Sequence, residues 1–113
     1  MDQRLRAELA RIIDDAGPCS EDAEIALGEG PIRQRLKSAM RALAQGRGPD
    51  SSTCPSDAAR AIGVDNWRDL MPDARDVARE LAESGQVEIT QGGKVVDPAG
   101  DLRGPIRIRT ADR

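Results

Sequence analysis

Not one phenylalanine or tyrosine occurs in these 113 residues, and tryptophan occurs once. Any core must therefore be assembled from 8 Leu, 8 Ile, 5 Val and 3 Met, with 16 Ala between them. An aliphatic, alanine-lined interior favours helices packed closely against one another. A chain of this length removes roughly 65% of its extended surface from water, enough for one core and one domain. Leu, Ile and Val are sparse, but disorder on that ground also requires a high net charge, and here the net is only −3. The apolar residues also recur with clear periods, so the chain reads as folded.

Composition excludes several chemistries. There is no histidine, which removes Ser-His and Cys-His nucleophile pairs and His-ligated metals. Cys19 and Cys54 are far apart and form no Cys-x-x-Cys pair, so a thiolate zinc site is not expected. Gly28-Glu29-Gly30 and Gly46-Arg47-Gly48 lack the setting of a dinucleotide loop. No carboxylate pair stands out as an acid/base couple, and neither an enzyme nor a cofactor is expected. No apolar run approaches a membrane span, and Met1-Asp2-Gln3-Arg4 begins no signal peptide, so the expected setting is cytoplasmic, with reduced thiols.

Charge is spread unevenly. Residues 1–31 hold 3 basic and 8 acidic side chains, whereas residues 32–113 hold 14 basic and 12 acidic. This divides the chain into an acidic N-terminal helical arm, 1–31, and a nearly neutral body, 32–113.

Periodicity supplies the elements. Leu5, Leu9, Ile12 and Ile13 trace one helical stripe over residues 2–16, with Asp2 as a cap and Gly17-Pro18 as a stop. Residues 19–28 allow a short capped turn of helix. Ile32, Leu36, Met40 and Leu43 mark a helix over 32–45. Thr53 or Cys54 caps a short helix over 55–62 with Pro55 in its first turn. A longer helix over 69–84 carries Leu70, Ala74, Val77, Ala78 and Leu81, with Pro72 marking its first turn and Gly85 its end. A hairpin is expected over 86–97 around Gly92-Gly93, followed by a further strand at Ile106-Arg107-Ile108-Arg109. The fold class is then α+β, mainly α: a winged helix-turn-helix with an added N-terminal helix and a small antiparallel β wing.

Four stretches, Cys54-Pro55-Ser56-Asp57-Ala58-Ala59-Arg60, Trp67-Arg68-Asp69-Leu70-Met71-Pro72, Gln91-Gly92-Gly93-Lys94-Val95-Val96-Asp97-Pro98 and Arg103-Gly104-Pro105-Ile106-Arg107, also resemble a known family. They are similar to the small bacterial domain-of-unknown-function family numbered 3253, over roughly residues 33–109. The resemblance implies a winged-helix fold and carries over no activity. The arm lies outside it.

Two basic groups are candidates for phosphate contact. At 100° per residue Arg68, Arg75 and Arg79 fall within about 160–200° of Val77, while Asp69, Asp73, Asp76, Glu80 and Glu83 fall at about 240–320°. One face of the helix is thus split into a basic and an acidic stripe. On the wing, burial of Ile106 and Ile108 places Arg107 and Arg109 outward, near Lys94 and Arg103. An arginine fork suits phosphate, although outward charges also protect an exposed strand edge. The single Trp67 reads as a packing residue beside the turn rather than a base stacker.

These readings favour a winged-helix module binding duplex DNA weakly; the alternative is a protein-interaction or dimerisation module. Net charge over 68–84 is −2 (3 basic, 5 acidic), which limits approach to a duplex. The Leu5, Leu9, Ile12 and Ile13 stripe needs a cover. It has two possible seats, the body of its own chain or a second copy, and a homodimer through that stripe is the favoured expectation.

Overall fold

Alanine sets how close the helices come. A computed structural model describes residues 3–111 apart from 16, 18, 49, 50 and 64. The elements are α1 (Gln3–Asp14), α2 (Ser20–Leu27), α3 (Ile32–Arg47), α4 (Pro55–Ile62) and α5 (Met71–Glu83), then β1 (Val87–Gln91), β2 (Lys94–Val95) and β3 (Arg107–Thr110). α3 is central, touching every other helix and β3. It buries Ala39, Ala42 and Ala44 beside Leu36, Met40 and Leu43. Its neighbours contribute Ala23 and Ala26 from α2, Ala58, Ala59 and Ala61 from α4, and Ala74 and Ala78 from α5, all fully buried. The result is α+β, mainly α, with one small antiparallel sheet. Among the described residues no helix is long and apolar enough to cross a membrane.

The ends of the helices follow local chemistry. α4 spans the expected residues with Pro55 in its first turn, but its cap position, Cys54, makes no side-chain cap bond. Thr53 is engaged elsewhere: its hydroxyl donates to Asp57 Oδ2 at 2.7 Å, and its backbone exchanges two 2.7 Å hydrogen bonds with Ile108. α5 begins at Met71 rather than 69, because Trp67–Leu70 forms a 3-10 turn ahead of Pro72. It ends as Gly85 predicts: at φ 80°, Gly85 N–H reaches Ala82 O and Gln86 N–H reaches Leu81 O, both at 3.0 Å, a left-handed helix stop. α2 exceeds the single turn expected, since Ala23 and Ala26 give it an apolar edge to bury. The Asp2 cap and the Pro18 stop lie outside the described residues.

β1 is the centre of the sheet, whose order is β2-β1-β3. The turn at Gly92-Gly93, both at positive φ, returns the chain as expected, but β2 pairs only Lys94 with Gln91 and Val95 with Thr90. Val96 N–H still donates to Ile89 O at 2.9 Å, and Asp97-Pro98 then ends the ladder, since proline offers no N–H to extend it. The longer partner of β1 is β3, in register from Val87↔Thr110 to Thr90↔Arg107. Residues 91–106 therefore form one excursion from a two-stranded ladder, closed on its far side by the Thr53↔Ile108 bridge.

The arm shares the core of the body. Leu5 and Leu9 are buried, and Ile12 and Ile13 pack beside them, with α1 lying against α2, α3 and α4. Arg6 caps α4, donating to Ala61 O at 2.8 Å. Of the two seats considered for the stripe, the single chain fills the one on its own body. A helix of 12 residues is marginal alone and gains its stability by burying such a stripe at the nearest apolar surface.

Candidate nucleic-acid interface

The basic stripe on α5 is divided by the 3-10 turn and by its own hydrogen bonds. Each residue of a 3-10 turn advances about 120° rather than 100°, which takes Arg68 out of line with Arg75 and Arg79. Its guanidinium lies over the Trp67 ring, 4.5 Å from the centroid, as does that of Arg60 from α4. Trp67 is half-buried against the core, as a packing residue should be, and also carries two cations. Arg75 donates to Leu102 O, and Arg79 to Pro98 O at 2.9 Å and Gly100 O at 3.2 Å. These two arginines, read as an open stripe, instead strap the 97–102 loop to α5. Loop carbonyls that lie outside helix and strand ladders are good acceptors for such forks.

The acidic stripe is met from α3. Arg33 lies 3.3 Å from Asp73 and 3.7 Å from Asp76, and it also bonds Glu80. Lys37 lies 3.5 Å from Glu80. All these side chains are well exposed, so each pair contributes only about 0–1 kcal/mol. They nevertheless leave the outer face of α5 no more than neutral.

On the sheet the alternation holds: Ile106 and Ile108 are buried, Arg107 is exposed and Arg109 half-buried. Arg107 donates to Ser52 Oγ at 2.9 Å and to Ser52 O at 3.0 Å. Arg109 faces Glu88 across the ladder at 3.0 Å, a cross-strand pair that takes it out of the basic group. Arg103 stands almost wholly exposed beside Asp101, and Lys94 is exposed on β2. Of the seven basic residues singled out by sequence, Arg68, Lys94, Arg103 and Arg107 thus remain exposed, on the 3-10 turn and on the sheet with its loops.

A second cationic group escapes a reading based on apolar stripes. Arg4, Glu8 and Arg11 share one face of α1 at positions i, i+4 and i+7, and Asp57 and Arg60 share one face of α4. Together with Arg47, at the end of α3, they line a cleft of about 500 Å³. The periodic charges on α1 are the signal that marks it; a net-charge count over 1–31 averages them away. Arg47 is its hub, bonding both oxygens of Glu8 at 2.8 and 2.9 Å, Asp57 at 3.2 Å and Ser52 O at 2.9 Å. The Glu8 hydrogen bonds, chiefly, push the Arg47 pKa above its ordinary value despite partial burial.

Cys19 is buried, and burial, reinforced by Asp22, raises its thiol pKa. A protonated thiol is a poor nucleophile. No group of three or more metal-ligating side chains occurs among the described residues.

No curated protein matches the chain. Residues 33–111 match the profile of one family, described as protein of unknown function (DUF3253). The match runs from the first turn of α3 to the residue after β3 and omits α1 and α2. Covering more than half of the chain, it places this protein in the DUF3253 family.

Proposed function

We propose that this protein is a winged-helix module that binds duplex nucleic acid weakly, through phosphate contacts from the turn before α5 and from the wing, Lys94 to Arg109. One observation carries the reading: Arg75 and Arg79 hold the wing against α5, so helix and wing offer one rigid surface. The exposed cations assigned to it in this reading are Arg68, Lys94, Arg103 and Arg107. The tight α4 to α5 connection is the helix-turn-helix element of the reading. With three to four phosphate contacts, log K should fall against log salt with a slope of roughly −2.7 to −3.6.

Fluorescence anisotropy with random duplex DNA at low and moderate salt tests this. Arg103→Ala with Arg107→Ala should weaken binding and flatten the slope by roughly 2. Unchanged affinity in that double variant would reduce the wing arginines to edge protection.

The outer face of α5 favours a second reading. Asp69, in the turn before the helix, and Glu83, in its last turn, are exposed beyond the acids that Arg33 and Lys37 engage, acidic points suited to a basic protein partner. Absence of DNA binding at low salt would favour this protein-interaction module.

A further inference from the structure

The geometry points to the cleft between α1, α3 and α4 as a binding site for a small hydroxylated phosphate monoester, of the sugar-phosphate class. Its volume of about 500 Å³ lies within the range of small-ligand sites. Two kinds of charge are sorted within it. Arg4, Arg11 and Arg60 stand at exposed positions around it, while Arg47 bonds both Glu8 and Asp57 in a largely buried cluster.

That division matches a ligand with two ends. A phosphate monoester near neutral pH carries up to two negative charges and three oxygens, each able to accept N–H donors from a guanidinium fork. The six charged groups of the cleft sum to +2, which suits a dianion. Glu8 has lone pairs beyond those used by Arg47, and Asp57 beyond those used by Arg47 and the Thr53 hydroxyl, and a carboxylate with spare acceptor capacity bonds hydroxyl groups. Arg47 holds both carboxylates in place from the end of α3, and stacking on Trp67 holds Arg60. Ordering costs that a ligand would otherwise meet are thereby reduced.

This inference goes beyond nucleic-acid binding and does not rest on it. The test is titration of the full chain with ribose 5-phosphate, following the arginine Nε–H signals by NMR. Saturable shifts centred on Arg11 and Arg60 are expected, with ribose 5-phosphate binding more tightly than inorganic phosphate and ribose alone not binding. Arg11→Gln and Arg60→Gln should each lower the affinity about tenfold, the loss of one charge-assisted contact. Arg11 is exposed and outside the proposed DNA surface, so Arg11→Gln should leave fold and DNA anisotropy unchanged and decides the matter if Arg60→Gln disturbs the Trp67 stack. Shifts reproduced by matched sodium chloride, equal affinity for inorganic phosphate, or full affinity in Arg11→Gln would overturn the assignment.

Discussion

Arg47 joins three helices through one side chain, and none of its carboxylate partners is near it in sequence: Glu8 is 39 positions away and Asp57 is 10. Such a hub is invisible to a reading by spacing, which sees only neighbours within a turn or two. Ile106 and Ile108, by contrast, declare their inward face through alternation alone. Cys19 gives the residue scale its pH dependence. Its folded-state pKa is raised, first by burial and then by Asp22, so the folded protein holds the proton more tightly than the unfolded chain. The associated stability is fully present below the ordinary thiol value of 9.0 and is lost as pH rises through the folded value. Urea midpoints should therefore fall between pH 8.5 and pH 10.5 by more in the native sequence than in Cys19→Ala. Parallel losses in the two proteins would show that Cys19 contributes nothing to the alkaline limb.

At the scale of elements, local signals located α4, α5 and the turn at Gly92-Gly93, because a helix period or a glycine pair is written within a few residues. What they could not show was the use made of each polar face. Arg75 and Arg79 find carbonyls 19 to 27 positions further on, and Arg33 finds its acids 40 and 47 positions away. The tightness of the α4 to α5 connection is itself testable. A Cβ on Gly63 would stand 2.9 Å from Trp67 Cα, 3.0 Å from Ala59 O and 3.1 Å from Leu70 Cδ1. Two of those atoms are backbone and cannot move aside, so Gly63→Ala should cost about 1–3 kcal/mol in urea unfolding. At Gly17, where a Cβ would meet nothing within 4 Å, the same change should stay within about 0.5 kcal/mol. Equal effects at the two glycines would refute the close approach.

For the whole molecule, the decisive fact is that α1 packs its apolar stripe into the core of its own chain. The periodic stripe was legible, but a stripe does not say which copy of the chain will cover it. Leu9 is fully buried within one chain, so Leu9→Ala should destabilise by about 2–5 kcal/mol. Melting temperatures of native and variant protein should then be independent of protein concentration, whereas a dimer held by this residue would melt higher when concentrated. The lone Trp67 has a further consequence. With no tyrosine or phenylalanine present, all of the protein's ultraviolet fluorescence arises from a single indole, and that indole lies beneath Arg60 and Arg68. Any anion that draws either guanidinium away from the ring alters the emission of the entire molecule, with no dye attached and no second fluorophore to subtract.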